Sequence, residues 1–375
     1  MKKLFILLSV CMFIGLTDST LAQISLSGDL QVRARDDIKD NGDYGGYTDD
    51  LYYMMHVGLN VDANIGDGFF GKMRLEHYNY AGYIYTAQSG LDNYSDAPII
   101  PGSNDIIARP TVNFTQLFLG VNREQWGVEA GIYPISGLAN PILDIHYMPN
   151  VMVDIPFTLY RLNTLTGISG YVAAGPGKIN LFVSNDYNGS YAEDIDGNDL
   201  MLKMDSYTVG ADYDFNVAGW NIQPIGIISV ASDSVPAPLS YGINLSSPDF
   251  SGFSLGFDAA FSNQTVAGTQ NYDASIFRIK AEFKPGFGSI EGWFDIAKRT
   301  DKDILVPDET GNLTDVDHNY TYLWLLYNIP VYSSDHGSLT MTPRVRRITE
   351  KVDTNGFNKD FTRYKIELLF SMAFK

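Results

Sequence analysis

The stretch Tyr364-Lys365-Ile366-Glu367-Leu368-Leu369-Phe370-Ser371-Met372-Ala373-Phe374 alternates apolar with mostly polar or small residues almost to the end of the chain. Tyr364, Ile366, Leu368, Phe370, Met372 and Phe374 share one parity, and Lys365, Glu367, Ser371 and Ala373 share the other. Side chains of a strand point alternately to its two faces, so this period describes a strand between an apolar and a wet environment.

The other end of the chain carries an export signal. Lys2 and Lys3 form a basic start, Leu4 to Leu16 an apolar run, and Thr20-Leu21-Ala22 a small-residue cleavage site before Gln23. That run is too short to span a membrane as a helix. Cys11 is the single cysteine and lies inside the signal, so a mature chain from Gln23 has no thiol, disulfide or iron–sulfur chemistry. No later segment approaches 18 consecutive apolar residues, which excludes helical membrane spans. The net charge of −18 excludes nucleic-acid binding through a general basic surface.

Alternation and turn residues divide the mature chain into sixteen strand-like segments: 24–35, 51–64, 69–80, 111–122, 125–133, 161–174, 178–185, 204–216, 219–231, 239–247, 252–263, 273–284, 289–299, 319–329, 338–349 and 361–374. Short Gly/Pro/Asp connections such as Ile65-Gly66-Asp67-Gly68 and Ala218-Gly219 alternate with longer loops near 36–50, 81–110, 134–160, 186–203, 232–238, 264–272, 300–318 and 350–360. The chain is therefore expected to be all-β: a 16-stranded antiparallel transmembrane β-barrel over 23–375, with short periplasmic turns and long extracellular loops, behind a signal peptide at 1–22. A C-terminal strand ending in an aromatic is how a bacterial outer-membrane barrel closes and is presented to the barrel-assembly machinery; here Lys375 follows Phe374.

Charge on a lipid face costs a few kcal/mol at the bilayer midplane, so the charged parity of each strand must face the lumen. By this rule Arg33 and Arg35 point inward from the first strand, Lys72 and Arg74 from the third, Arg344 and Arg346 from the fifteenth, and Arg363 and Lys365 from the last. Closure places the last strand between the first and the fifteenth, which makes a basic ladder on one wall. The acids are expected in the extracellular loops: Asp36, Asp37, Asp40, Asp43, Asp49 and Asp50 in the first, Glu193, Asp194, Asp196 and Asp199 in the fourth, and Asp301, Asp303, Asp308, Glu309, Asp315 and Asp317 in the seventh. No cofactor is expected. At most these loops bind divalent cations weakly, bridging lipopolysaccharide, because 194–199 lacks the full calcium-loop pattern.

Phe118-Leu119-Gly120-Val121 through Trp126-Gly127-Val128-Glu129-Ala130-Gly131-Ile132-Tyr133 resembles a strand–turn–strand of the general bacterial porins, trimeric diffusion channels of sixteen strands. Ser240-Tyr241-Gly242-Ile243-Asn244 through Gly252-Phe253-Ser254-Leu255-Gly256, and Arg161-Leu162-Asn163-Thr164, resemble further parts of that family. The resemblance implies a homotrimer latched by the second loop, 81–110, in outer-membrane lipid and lipopolysaccharide. It also implies a third loop, 134–160, folded inward as a constriction. That loop is rich in apolar residues, and its acids Asp144 and Asp154 would then oppose the basic ladder.

These readings lead to an outer-membrane channel for passive diffusion of small hydrophilic solutes, with a basic wall favouring anions. A substrate-specific channel for phosphate, organic anions or oligosaccharides shares the same features, and a plugged structural or adhesive barrel differs only in how loop three sits. A lipase-like barrel would need a nucleophile beside a histidine; the five histidines, at 56, 77, 146, 318 and 336, stand in no such motif. The signal reading predicts that protein recovered from a Gram-negative envelope begins at Gln23; an intact mass that retains residues 1–22 would refute it.

Overall fold

The computed structural model of the chain describes residues 23–40, 47–81, 112–134, 164–189, 192–193, 199–200, 204–231, 237–266, 269–305, 313–354 and 357–375. Sixteen strands follow one another as β1 (Gln23–Asp40), β2 (Tyr47–Gly66), β3 (Phe69–Ala81), β4 (Asn113–Asn122), β5 (Trp126–Pro134), β6 (Thr164–Ala174), β7 (Gly177–Gly189), β8 (Met204–Val217), β9 (Trp220–Ala231), β10 (Ala237–Ser246), β11 (Phe253–Val266), β12 (Thr269–Phe283), β13 (Ser289–Leu305), β14 (Leu313–Ser334), β15 (Gly337–Thr354) and β16 (Phe357–Phe374). Each pairs antiparallel with its chain neighbours, and β1 also pairs with β16 from Gly28↔Phe374 to Asp40↔Thr362, which closes the barrel. Closure matters physically: in hydrocarbon every backbone N–H and C=O needs a partner within the protein, and a closed sheet leaves no open edge. A separate two-residue pairing joins Ala192–Glu193 to Asp199–Leu200.

The alternation in the opening stretch survives as an inside-out arrangement. Ile366 and Leu368 are 49% and 37% exposed on the outer surface, whereas Lys365 and Glu367 between them are 0% and 3% exposed. The same outer parity exposes Ile24, Leu26, Leu30 and Val32 on β1, Leu323 and Leu325 on β14, and Ile279 on β12. Aromatic residues mark both ends of the outward face of β16, Tyr364 and Phe374, as the interfacial girdles of a membrane barrel require.

The tight turns lie at the end where the chain enters β1 and leaves β16. Between β2 and β3, Gly66, Asp67 and Gly68 take φ of +100°, +49° and +74°; glycine does so without steric cost, and aspartate tolerates the left-handed region better than most residues. Between β8 and β9, Ala218 and Gly219 both have positive φ, the backbone hand that matches the twist of a two-residue hairpin.

At the opposite end several strands run farther than polarity predicts. β1 continues to Asp40, β13 to Leu305, and β14 begins at Leu313, so Asp36, Asp37, Asp301, Asp303, Asp315 and Asp317 belong to strands and not to loops. β11 and β12 are separated only by residues 267–268, and β15 and β16 by 355–356, where longer loops were expected. The reason is cross-strand pairing. Lys298 of β13 bonds Asp317 of β14 at 3.0 Å, and Lys302 bonds Asp315 at 3.1 Å, so opposite charges stabilise a ladder that has left the hydrocarbon. The signal peptide and both long loops, beyond Ala81 and beyond Pro134, lie outside the described residues.

A second departure concerns the lumen. The inward faces of β7, β9 and β11–β15 carry a buried apolar cluster that includes Phe182, Ile225, Ile227, Ile276, Tyr320, Tyr322 and Ile348. Part of the inner wall is therefore dry. β9 announces it, since Ile225-Gly226-Ile227-Ile228 is apolar on both parities, the pattern of a strand covered on two faces. The fold predicts that Leu368→Arg, on the outer face of β16, destabilises the barrel by about 2–4 kcal/mol. Urea unfolding in lipid bilayers measures this; an unchanged midpoint would contradict the assignment of that face.

Candidate functional site

Register brings residues far apart in sequence into rows along the inner wall. One row runs Arg344 of β15, Glu367 of β16, Arg35 of β1 and Tyr52 of β2. The next runs Trp293 of β13, Trp324 of β14, Arg346 of β15, Lys365 of β16 and Asp37 of β1. Arg33, Arg35, Arg344, Arg346, Arg363 and Lys365 thus stand on three contiguous strands, as parity and closure require.

The ladder is interleaved with acid. Arg35 Nε donates to Glu367 Oε1 at 2.6 Å, Arg346 Nη2 donates to Glu367 Oε2 at 2.6 Å, and Arg33 Nη1 reaches Oε1 at 3.5 Å. Arg35 Nη1 also donates to the Tyr52 hydroxyl at 3.1 Å, and that hydroxyl donates onward to Asp37 Oδ2 at 3.4 Å. Asp37 in turn receives both prongs of the Arg363 fork, one of them from Nε at 2.6 Å. Glu367 and Asp37 are thereby internal counter-ions of this group of cations. Such charge-assisted and forked bonds fix guanidinium planes as well as positions.

Lys72 and Arg74 stand apart from this group on β3. Arg74 donates to Asp29 at 2.6 Å, to Glu76 at 2.8 Å and to Asn60 at 2.7 Å, while His56 lies between Asp29 and Glu76 at 3.1 and 3.0 Å. Lys72 is half exposed and 3.7 Å from Asp62. Asp144 and Asp154 lie outside the described residues, as does the rest of the loop that carries them. Among the described residues no cluster of three or more His, Cys, Asp or Glu is arranged to hold a metal ion.

The structure adds partners that parity alone does not reveal. Trp293 and Trp324 pack against each other on the inner wall, with ring centroids 4.3 Å apart and planes tilted by 40°. Arg346 lies 4.3 Å over Trp324 and Arg344 6.0 Å over the same ring. Arg278 lies 5.7 Å over Trp293 while forking onto Asp295 with two bonds of 2.6 Å. Trp293 is legible as inward-facing, because it shares parity with Glu291 and Asp295. Its packing against Trp324 is not, since that depends on the β13–β14 register.

The opposite arc differs in charge. The inward faces of β4–β11 carry Glu129, Asp212, Asp214 and Asp258, with Lys178 and no arginine among the described residues. A hollow of about 260 Å³ opens there, lined in part by Glu129, Ser169, Tyr171, Asn180, Phe182 and Asp212. Ser169 donates to Glu129 at 3.1 Å, and Asn180 and Gln223 donate to Asp212 at 2.7 and 2.8 Å.

No protein-family model matches the chain, and no curated protein matches it in sequence. Solved structures match it in shape. The anion-selective porin from Comamonas acidovorans aligns with a TM-score of 0.56 at 10% identity, over 93% of this chain and 99% of that one. OprB of Pseudomonas putida aligns at 0.57 and 11% identity, over 93% and 94% of the two chains. Salmonella typhi OmpF aligns at 0.55 and 12%, over 93% and 98%. The chain has the porin fold. Its apolar exterior, closed ladder and charged interior are those of an outer-membrane β-barrel.

In this porin-fold wall Asp37 and Arg363 are both buried, so breaking their pair leaves an uncompensated charge. Asp37→Asn is expected to cost about 3–5 kcal/mol, against at most about 1 kcal/mol for Asp62→Asn at its exposed pair with Lys72. Unfolding midpoints of the two variants test the ranking, and equal midpoints would contradict it.

Proposed function

We propose that this porin-type barrel is a channel for passive diffusion of small hydrophilic solutes, with a preference for anions. The observation that carries the reading is the wall formed by β15, β16 and β1, where Arg33, Arg35, Arg344, Arg346, Arg363 and Lys365 gather around Glu367 and Asp37 on contiguous inner faces. The acidic arc of β4–β11 supports it further. Opposite signs on facing walls make a transverse field that orients polar solutes in passage. The anion-selective porin among the structures of like fold is consistent with the same sign of preference. Assembly as a homotrimer, insertion by the barrel-assembly machinery and seating among lipopolysaccharide complete the proposal and rest on the family resemblance.

A substrate-specific channel is the second reading, favoured by one observation, the tilted Trp293–Trp324 pair with Arg278 over one ring and Arg346 over the other. An aromatic pair with a cation over each ring suits a planar or ring-bearing anion better than a bare inorganic ion.

Planar-bilayer recording under a salt gradient tests the main reading. The expected result is stepwise currents whose reversal potential indicates anion preference, reduced when Arg33, Arg35, Arg344 and Arg346 are replaced by glutamine. No steps from folded protein, or a reversal potential unmoved by those replacements, would defeat it.

A further inference from the structure

The arginine row has more donors than acceptors, and the shortage is local. Glu367 accepts from Arg35, Arg346 and Arg33, and it is the carboxylate around which these groups gather. Arg344 stands directly opposite Glu367 in the β15–β16 ladder, yet it bonds to no carboxylate among the described residues. Its Nε is buried without an acceptor, as are Arg35 Nη2 and the Trp324 indole Nε1. A buried donor left unsatisfied costs about 1–3 kcal/mol. Three around one carboxylate are either an unrelieved cost or the lining of a site with an occupant.

We propose that Arg33, Arg35, Arg344 and Arg346 form a saturable subsite for a multivalent oxyanion on the channel wall, and that Glu367 is its resident competitor. The inference rests on the anion-conducting reading and assigns that wall a ligand class and a tuning residue. A solute presenting two or more acceptor oxygens matches guanidinium forks in a way that chloride does not. Trp324 holds the planes of Arg344 and Arg346 from beneath, so the forks are preorganised toward one locus. Left alone, four guanidiniums would trap such an anion. Conduction requires binding firm enough to admit a solute and weak enough to release it. Glu367 supplies the weakening: its two oxygens already occupy the donors of Arg35 and Arg346, so an arriving anion must displace or share them.

The test records chloride current through the purified full-length mature protein in planar bilayers while sodium sulfate or sodium succinate is titrated in. The wild type is expected to show saturable block. Glu367→Gln keeps the shape and an acceptor but removes the charge, and its half-blocking concentration should fall about tenfold. Arg344→Gln removes the cation that no described carboxylate bonds, so it leaves the Glu367 bonds in place; its half-blocking concentration should rise by a similar factor. Block by sulfate or by succinate supports the subsite, and the anion effective at lower concentration identifies inorganic oxyanions or carboxylates as its ligands. If Glu367→Gln fails to assemble, Arg344→Gln decides the matter alone. An anion-preferring wild type without saturable block, or with half-blocking concentrations unchanged in the variants, overturns the subsite while the anion reading stands. A cation-preferring wild type overturns both.

Discussion

Closure of the first strand onto the last is the constraint on which the rest of this molecule depends. A sheet in hydrocarbon has no solvent to satisfy an edge, so β1 and β16 must pair, and the pairing fixes which side of each strand is wet. Once Arg35 lies opposite Glu367, every second residue of both strands is committed to the lumen. The apolar residues between them are committed to lipid. A register slip of one residue would exchange the two sets. Buried charge inside the seam and exposed leucine outside it are two consequences of one geometric choice.

The same seam gathers the chemistry. The cations that the sequence spreads over residues 33–35, 344–346 and 363–365 meet only because the ends of the chain meet. Their interleaving with Glu367 and Asp37 then moderates the wall. A purely basic surface would repel itself and hold anions too firmly to pass them. The chain of bonds from Glu367 through Arg35 and Tyr52 to Asp37 and Arg363 spans three strands, β16, β1 and β2, so the network that shapes the lumen also ties the barrel shut.

Much of this was legible in the residues. The parity of Ile366 and Leu368 against Lys365 and Glu367 states a two-faced strand, and the glycine-bearing turns at 65–68 and 218–219 state where strands reverse. The inward direction of all six cations on β15, β16 and β1 follows from the cost of charge in lipid. What escaped has a common physical origin, in that it depends on contacts between remote strands. Asp37 reads as part of an acidic loop until β1 is seen to continue beside Arg363, 326 positions later in the chain. Asp315 and Asp317 read as loop until Lys302 and Lys298 of the neighbouring strand balance them, and Asp301 until His318 of β14 and Arg299 do. The dry inner arc around Ile225, Ile227 and Tyr322 conflicts with the expectation of a wet lumen, and only the double apolar parity of β9 hinted at it.

The central claim is that the strand which closes the barrel also lines its pore. Because the single cysteine lies within residues 1–22, a mature chain offers a thiol-free background for site-directed labelling. The direct measurement is single-channel current before and after a charged, membrane-impermeant thiol reagent, with one cysteine at Ser371 or at its neighbour Phe370. Inward-facing Ser371→Cys should react and step the current, and lipid-facing Phe370→Cys should leave it unchanged. Equal responses, or a response at position 370 alone, would contradict the account.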